Sequence, residues 1–521
     1  MRALDLAIIC GYLLGITLLG TWFARKQETT RDYFLGDRTV PWWAIAASIV
    51  ATETSTITFI SVPGIAFARG GNFQFLQLVF GYLLGRVLIS LLFIPSYFRG
   101  ELLTVYQLLD RRFGGKIKMI AASLFILMRN IADGIRLLLT AIVLAAVYTA
   151  FQPEAHAETL IVFSIVLIGV VMIIFTYFGG MEAVIWVEVV QLGIYIVGAI
   201  AAVFVLINSI EGGLGAALAV GAQYGKFDLF DFSLDFTKTF TFWAGLIGGC
   251  FLTMSTHGTD QYLVQRYLCT DRPRRAAAAL LTSGAVVLAQ FIGFLFIGVL
   301  LFAFYHPYAD AAYTALQPAQ AAFPFTGGDR VFPDFITRHL PSGLSGLVVA
   351  AIFAAAMSSS LNSIAATAVN DLYRPFKPQQ SDQHYLKVSH WLTLLWGVVQ
   401  IGVALVVRHK NRSALDQALS VASLINGPVL GVFLVGTFLR RVSEPPALIG
   451  MGVSILLMLY VFFGTRVAWT WYVLIGSSIT FMAAWAASLL FAPAPQSRRD
   501  ELAPGGPVKR LLPATELETS K

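Results

Sequence analysis

Long apolar runs separated by short polar connections extend over almost the whole chain. We count about thirteen runs of roughly 20 residues or more, the length that a helix needs to cross a ~30 Å hydrocarbon core. They lie near 4–24, 42–68, 73–98, 118–150, 159–178, 183–208, 240–265, 276–304, 344–368, 386–407, 414–439, 445–464 and 469–491. No strand-like alternation of apolar and polar residues accompanies them. The pattern predicts an all-α polytopic membrane protein with about 13 transmembrane helices.

Composition supports this prediction. Of 521 residues, 57% are hydrophobic and 12% are charged, and the mean hydropathy is +0.73, which excludes an ordinary soluble domain. No soluble domain interrupts the runs, so we expect a single transmembrane domain over residues 1–492. Residues 493–521 are rich in Pro, Ser and charge, which predicts a disordered cytoplasmic tail.

The basic residues of the connections predict the orientation. With the N-terminus outside, the inside connections and the tail hold more than twice as many Lys and Arg as the outside connections, as the positive-inside rule requires. The inside set includes Arg266 and its neighbours Arg272, Arg274 and Arg275. We therefore expect a multi-pass protein of the plasma membrane, or of the inner membrane in a bacterium, with its C-terminus in the cytoplasm. The net charge of +7 follows from this topology and does not indicate a nucleic acid partner.

Three apolar runs contain unusual clusters of polar residues. They are ATETSTIT (51–58), which carries Glu53, GLIGGCFLTMSTHGTDQ (245–261) and AAAMSSSLNS (354–363). Ionisable residues at membrane depth are rare unless they face a cavity, an ion or a partner charge. A hard cation prefers several oxygen ligands, and broken transporter helices expose main-chain carbonyls to ions. Alternatively, each hydroxyl bonds a carbonyl one turn back or lies at a close helix contact.

Further charged residues lie within the predicted spans. Glu188 is a candidate cation ligand, a proton carrier or one half of an ion pair. Arg129, Asp133 and Arg136 are spaced by four and three residues, so they share one helical face. If Asp133 neutralises one arginine, the other guanidinium can hold a carboxylate in a bidentate fork; a purely structural triad is the alternative.

Neutral polar residues near the clusters suit a small polar solute. Thr58 and Gln77 offer hydrogen-bonding groups, and His257 is either a cavity residue or a satisfied packing residue. The three cysteines form no close pair and the seven histidines have no ligand spacing, so we expect neither a disulfide framework nor a metal-ligand cluster.

Seven segments together resemble the sodium:solute symporter family, whose members include sodium-driven symporters of sugars, proline and sialic acids. These segments are DYFLGDRTVPWW (32–43), ATETSTITFISVPGIAF (51–67), YFGGMEAVIWVEVVQ (177–191), TDQYLVQRYL (259–268), GLVVAAIFAAAMSS (346–359), LNSIAATAVNDLY (361–373) and INGPVLGVFLVG (425–436). The resemblance extends over nearly the whole chain up to Ser497. It implies a LeuT-like inverted five-plus-five helix repeat, with core repeats at about 41–208 and 240–440, one extra helix before them and two after.

The resemblance also implies roles for individual residues. The sodium site would use main-chain oxygens of the first repeat helix and a carbonyl and two hydroxyls of the eighth core helix. Those positions map to Ala51, Thr54, Ala355, Ser358 and Ser359.

Solute positions of the family map to Ser55, Thr58, Gln77, Thr253 and His257. Arg129 or Arg136 would resemble the arginine used by members that carry carboxylates.

Two departures bear on the number of sodium ions. Many members have a second hydroxyl pair three residues after the first, and SSSLNS (358–363) is too short to hold both pairs. Counted from the preceding glycine, Ser358 and Ser359 are the first-site pair; counted back from Asn362 and Asp371, they are the second-site pair. Glu188 stands where members with a second sodium have Asp, so it and Glu53 are the candidates for a second cation or a proton. We predict one sodium ion per solute.

The sequence thus predicts a sodium-coupled secondary active symporter that imports a small polar solute by alternating access, with an anion favoured by the arginine face. The transported Na⁺ is the only cofactor expected, the partners are the solute and the lipid bilayer, and the chain is expected to function as a monomer. One alternative is a proton-coupled symporter in which Glu53 or Glu188 titrates. The others are a membrane solute sensor, although the short tail offers no output domain, and a membrane enzyme, although no nucleophile with a base is visible.

Overall fold

A computed structural model describes residues 3–23, 27–54, 56–149, 156–305, 328, 331–357, 360–409, 424–499 and 502. Within these ranges the regular structure is helical and no strand occurs. The α-helices are α1 Ala3–Phe23, α2 Thr30–Leu35, α3 Trp42–Glu53, α4 Thr56–Phe67, α5 Leu76–Leu92, α6 Ile94–Tyr97, α7 Tyr106–Arg112, α8 Gly115–Thr149, α9 Ala157–Ser209, α10 Gly213–Gln223, α11 Gly249–Gly258, α12 Gln261–Leu268, α13 Pro273–Phe304, α14 Val331–His339, α15 Leu344–Met357, α16 Leu361–Thr367, α17 Arg374–Phe376, α18 Asp382–Val407, α19 Asn426–Phe438, α20 Glu444–Gly464, α21 Tyr472–Ser488 and α22 Gln496–Arg499.

The first predicted repeat begins with a broken helix. Helix α3 ends at Glu53, and Thr54 follows with a ψ of 61°, which is not helical. Helix α4 then begins at Thr56. The interruption falls inside the polar cluster of residues 51–58, because its hydroxyls can satisfy backbone groups that an apolar sequence would leave unpaired.

The second predicted repeat also begins with a broken helix. A π-helical turn at Ala244–Gly248 continues into α11, which ends at Gly258. Asp260 then caps α12, because its carboxylate accepts a hydrogen bond of 2.8 Å from the Tyr262 N–H. Both predicted repeats therefore start with a helix that is interrupted near its middle.

Helix α9 contains two predicted spans joined at Gly180. A straight helix of its 53 residues would be about 80 Å long, more than twice the hydrocarbon thickness. Gly180 has φ 61° and ψ −164°, a conformation that is essentially confined to glycine. A Cβ atom there would lie 2.5 Å from the Gln27 amide nitrogen and 2.8 Å from the Tyr33 carbonyl oxygen. The glycine thus permits both the change of direction and the close contact with the segment before α3.

The serine-rich segment lies between α15 and α16. Ser358 and Ser359 lie outside the described residues. Ser360 precedes α16, and its N–H and hydroxyl both donate to the Asp133 carboxylate of α8. The Asp133 carboxylate therefore binds the N-cap residue of the helix that follows the serines.

Five described helical segments are individually long and apolar enough to cross a membrane, by length and composition. They are Glu158–Ser209, Pro273–Phe304, Asp382–Val407, Glu444–Gly464 and Trp469–Ser488. Large apolar side chains such as Phe204, Leu456 and Met482 are exposed on these helices, as expected for lipid-facing surfaces. Interrupted helices such as α3 and α4 are shorter, so the count of about 13 spans stays a prediction.

The first residues of the predicted tail pack against the transmembrane body. The Ala494 N–H donates to the Arg441 carbonyl at 2.8 Å, Arg498 donates to the Phe113 carbonyl, and Leu502 is fully buried. The segment from 503 onwards lies outside the described residues, so the disorder expected for the tail stays a prediction there.

Candidate functional site

Glu53, the acidic residue of the first polar cluster, lies at the interruption between α3 and α4. Its carboxylate pairs with Arg86 of α5 and with His257 of α11. Arg86 and His257 also contact each other, with 3.3 Å between their nitrogens. Both are buried. The group joins the two broken helices through α5, and the Arg86 guanidinium compensates the glutamate charge.

The predicted sodium ligands of the first broken helix surround the same interruption. Ala51 lies in the last turn of α3, where carbonyls as a rule lack intrahelical partners. The Thr54 hydroxyl donates to the Val50 carbonyl at 2.7 Å and accepts a hydrogen bond of 2.6 Å from the Gln290 side-chain amide of α13. That leaves main-chain oxygens, not the threonine hydroxyl, as the groups that this segment can offer to a cation.

The other predicted ligands are described less completely. Ala355 lies in α15, two residues before the described part of that helix ends at Met357. Ser358, Ser359 and the predicted solute residue Ser55 lie outside the described residues. The geometry of the complete ligand set therefore stays a prediction.

Glu188 of α9 forms a buried ion pair with Arg266 of α12. The Arg266 Nη2 and Glu188 Oε1 atoms are 2.5 Å apart, Nε and Oε2 are 3.3 Å apart, and each side chain is 1% exposed. The hydroxyls of Ser48 and Thr52 on α3 also donate to the carboxylate. Of the three roles that the sequence leaves open for Glu188, this arrangement corresponds to the ion pair. Arg266, assigned from the sequence to a cytoplasmic connection, is instead a buried helical residue.

A cavity of about 240 Å³ lies between α8, the interruption of the second broken helix and α19. Arg129 and Arg136 line it on one side, and Ser255, Asp260 and Asn426 line it on another. The structure therefore places both predicted arginines at one cavity.

Each of these arginines has a carboxylate at the limit of ion-pair distance. Arg129 Nη2 lies 3.9 Å from Asp260 Oδ2, and Arg136 Nη1 lies 3.6 Å from Asp133 Oδ1. The sequence argument left one guanidinium without a carboxylate, and Asp260 supplies one from the other side of the cavity. Neither contact is a short bidentate pair, and the buried Arg129 Nε has no hydrogen-bond partner among the described residues.

One aromatic ring connects the cavity to the Glu188 pair. The guanidinium of Arg129 lies 4.0 Å from the centroid of the Tyr262 ring, and that of Arg266 lies 4.6 Å from it. Cation–π contacts of this kind are worth about 0.5–2 kcal/mol. Tyr262 therefore connects the arginine at the cavity with the arginine in the buried ion pair.

Three residues predicted to bind the solute contact other protein groups and do not line this cavity. The Gln77 side chain donates to the Phe240 carbonyl and accepts from the Asp231 N–H, at 3.1 and 3.0 Å. Thr253 and His257 lie on the face of α11 that contacts α5, whereas Ser255 faces the cavity.

Thr58, the fourth of these residues on the described part of the chain, donates to the Glu53 carbonyl at 3.0 Å. It therefore lies beside the helix interruption, and the solute roles of all four residues stay predictions.

Comparison with known proteins identifies the family. The profile of the Sodium:solute symporter family matches residues 33–454, most of the chain. The chain belongs to the Sodium:solute symporter family. This membership confirms the family predicted from the sequence motifs, and with it a sodium-coupled symporter.

The symporter has curated relatives of nearly its full length. It is 31% identical over 515 residues to the sodium/sialic acid symporter SiaT of Proteus mirabilis, covering 96% of this chain and 97% of that protein. It is 31% identical over 493 residues to the sodium/sialic acid symporter NanT of Aliivibrio fischeri, covering 94% and 93% of the two chains. The human sodium/iodide cotransporter is 28% identical over 468 residues, covering 89% of this chain and 70% of that protein.

Solved structures give the same fold. A substrate-bound, outward-open Na⁺-coupled sialic acid symporter matches this symporter with a TM-score of 0.83 and 30% identity, covering 95% of this chain and 99% of that chain. The nucleobase-cation-symport-1 family transporter Mhp1 matches with a TM-score of 0.54 and 13% identity, covering 90% and 97% of the two chains, which shows a shared fold alone. The predicted all-α, LeuT-like fold is confirmed.

Sequence reasoning missed several charged partners in this symporter. Arg86 and Arg266 complete the buried pairs of Glu53 and Glu188, and Asp260 faces Arg129. An isolated arginine in the apolar run of α5 was a usable signal for Arg86, because such residues need a partner within the protein. The identity of that partner depends on helix packing, which spacing along one sequence does not specify.

Proposed function

We propose that this symporter couples Na⁺ entry to the uptake of a carboxylate-bearing solute of the sialic acid class. The observation that carries the proposal is the cavity between α8, α19 and the second broken helix, where Arg129 and Arg136 lie together. The relatives SiaT and NanT, which are sodium/sialic acid symporters, match nearly the whole chain and support the same class of solute.

The electrostatics of the cavity favour an anion. Arg129 is held by a contact of 3.9 Å to Asp260, and its Nε has no hydrogen-bond partner among the described residues. A carboxylate can bind a guanidinium with two parallel hydrogen bonds, which is a stronger arrangement than that long contact. Ser255 and Asn426 supply polar groups for hydroxyls of the same solute. The Arg129 fork is therefore the proposed anchor, with Arg136 as a second positive charge.

The proposed coupling ion binds between the first broken helix and the serine segment. Its ligands are the main-chain oxygens of Ala51, Thr54 and Ala355 and the hydroxyls of Ser358 and Ser359. Sodium held there favours the conformation in which both segments are in place, and coupling follows from this difference in affinity between states. One sodium per solute is proposed, because the Arg266 guanidinium already compensates Glu188 and the Arg86 guanidinium compensates Glu53.

The remaining solute contacts come from the first broken helix and its neighbours. Ser55, Thr58 and Gln77 are proposed to bind solute hydroxyl or carboxylate groups, and Thr253 and His257 to support that surface through Glu53 and α5. The proposal places the N-terminus outside and the C-terminus in the cytoplasm of the cell membrane. It takes the monomer as the working unit and includes no covalent chemistry.

Uptake by reconstituted protein tests the proposal. Proteoliposomes are given an inward sodium gradient at one fixed pH on both sides, and uptake of labelled sialic acid is measured against an equal potassium gradient. We expect sodium-dependent accumulation, and little uptake of the sialic acid methyl ester, which lacks the charge.

Variants of the two arginines locate the anchor. Arg129→Gln should raise the KM for sialic acid by on the order of tenfold or more, because it removes a charge-assisted pair. Arg129→Lys keeps the charge without the fork, and Arg136→Gln, which removes the second positive charge on the same helix face, should raise the KM less than Arg129→Gln does. Equal uptake in sodium and potassium would contradict the coupling, and equal uptake of acid and ester would contradict the anionic solute.

A further inference from the structure

We propose that a second, polar cavity at the cytoplasmic end of the helices binds a phosphate group, either as a free phosphate or as a lipid headgroup. The cavity has a volume of about 290 Å³ and lies between three connections that the predicted orientation places inside. Arg31 and Arg38 come from the segment before α3, Glu101 from the segment after α6, and Arg374 from α17. This site is separate from the solute cavity and does not depend on which solute is carried.

Arg38 is held at this cavity by an unusual backbone. Its φ is 60°, and that of the preceding Asp37 is 47°, a left-handed conformation that costs about 1–3 kcal/mol for a residue other than glycine. One guanidinium nitrogen donates to the Leu102 carbonyl at 3.0 Å. The Nε atom is buried and has no hydrogen-bond partner in the described part of the chain. The strained turn therefore places beside the cavity a buried donor that the described residues do not satisfy.

Arg38 has no carboxylate of its own at this cavity: none of the described residues places one within 4 Å of its guanidinium. Burial and the nearby Arg31 guanidinium lower the pKa of Arg38, and Glu101 raises it. Arg31 pairs with Asp37 at 3.0 Å and with Glu101 at 3.3 Å, but all three side chains are largely exposed, and exposed pairs of this kind contribute little. A bound dianion would offset the repulsion between the two arginines.

The other charged residues of the cavity point to the same conclusion. The two carboxylate oxygens of Asp382 accept hydrogen bonds of 2.8 Å from the N–H and the hydroxyl of Thr30. The Arg374 guanidinium lies 4.6 Å from the centroid of the Tyr385 ring, and no carboxylate of the described residues lies within 4 Å of it. Three guanidiniums thus line one small cavity together with two carboxylates, Glu101 and Asp382. Glu101 pairs with Arg31 and Asp382 accepts from Thr30, so Arg38 and Arg374 are the guanidiniums left for an anion, and arginine clusters are the usual means of phosphate recognition.

A phosphate bound here would connect elements that carry the sodium site. Arg38 leads directly into α3, the first half of the first broken helix, and Arg374 follows α16, which follows the serine segment. A ligand shared between these two connections stabilises the conformation in which they are close, by its difference in affinity between conformations. Phosphate binding should therefore favour the state in which this cavity is closed.

Thermal stability of the full-length protein measures the binding. Inorganic phosphate is titrated at constant ionic strength into detergent-purified protein, and the melting temperature is recorded. In a second arm the protein is reconstituted in phosphatidylcholine alone or mixed with phosphatidylglycerol. We expect a saturable rise in melting temperature in at least one arm; a response to phosphate in detergent indicates a free anion, and a response only to phosphatidylglycerol indicates a headgroup.

Variants decide whether the response comes from this cavity. Arg38→Gln combined with Arg374→Gln should raise the midpoint of the titration on the order of tenfold or more. Arg38→Lys, which keeps a charge but lacks the fork, tests the site if the double variant folds poorly. Arg272→Gln, at a largely exposed arginine, is the matched control and should leave the midpoint unchanged. Retained sodium-dependent stabilisation shows that each variant is folded. A response that is absent in both arms, or unchanged in the double variant, overturns the proposal.

Discussion

Breaking the Glu188–Arg266 pair should destabilise the protein more than any exposed charge change. Both side chains are 1% exposed, and two contacts of 2.5 and 3.3 Å join them. Glu188→Gln keeps the shape of the side chain but leaves the Arg266 guanidinium buried without a compensating charge. Removing one partner of such a pair typically costs about 3–5 kcal/mol, and we expect a loss of unfolding free energy in that range.

A double-mutant cycle separates the pair from its surroundings. Arg266→Gln alone should cost about as much as Glu188→Gln, but the double variant has no buried charge left and should cost only about as much as either single change. The coupling energy then equals the loss of one single variant, about 3–5 kcal/mol, at or above the upper end for contacting residues. Equilibrium unfolding in mixed micelles with increasing SDS, followed by tryptophan fluorescence, gives the four free energies.

An exposed pair provides the control for this cycle. Asp271 and Arg272 are 3.1 Å apart but 40% and 72% exposed, so Asp271→Asn should cost less than about 1 kcal/mol. Additive single variants, with a coupling energy below about 0.5 kcal/mol, would refute the reasoning. Loss of sodium-dependent stabilisation in the double variant would show instead that Glu188 binds the cation.

Three further predictions concern the proposed sodium site, the turn in α9 and the buried residue Lys226. Replacing Ser358 and Ser359 together with Ala should abolish the extra thermal stability given by sodium over potassium; if that stability persists, the cation lies elsewhere. Gly180→Ala should lose about 1–3 kcal/mol of stability because of its backbone conformation, whereas Gly193→Ala, with no atom within 4 Å of the added Cβ, should be neutral or stabilising by up to about 1 kcal/mol; equal melting temperatures would contradict this. Burial lowers the pKa of Lys226 from 10.5 to about 8, so the folded state binds fewer protons than the unfolded state between these values and stability should rise with pH there. Lys226→Met should remove that rise, measured as melting temperature from pH 7.5 to 10, and a parallel rise in the variant would assign it to another group.

The sequence indicated where helices are interrupted by polar clusters. It did not indicate which residues contact each other around these interruptions. The clusters at 51–58 and 245–261 predicted broken helices, and both α3 and α11 end within them. Local hydroxyls and glycines produce these interruptions, so the signal is present in a short segment. The sequence also divided the residues of α9 into two runs, 159–178 and 183–208, and the backbone turns between them at Gly180.

The partners of the buried charges could not be predicted in the same way. Glu53 and His257 are 204 positions apart, and Glu188 and Arg266 are 78 apart. Their contacts depend on how helices pack, which no local pattern encodes. Arg266 was assigned to a connection because charge counting cannot distinguish a loop arginine from one in the inner half of a broken helix. The common helical face of Arg129 and Arg136 was predictable because the two residues are close along one helix, and both line one cavity; their solute role stays a prediction.

In the proposed function, the position of Tyr262 between two guanidiniums links solute binding at Arg129 to the stability of the buried ion pair. A solute that draws Arg129 away from the ring alters the environment of Arg266, whose other contacts hold Glu188 and, through it, α3. Linkage requires that a change at one site affect the other by the same factor. Ser48 and Thr52 do not line the cavity, but substitutions there should therefore change the Kd for the solute. The change in binding free energy should equal the amount by which bound solute changes the cost of the same substitution in unfolding free energy.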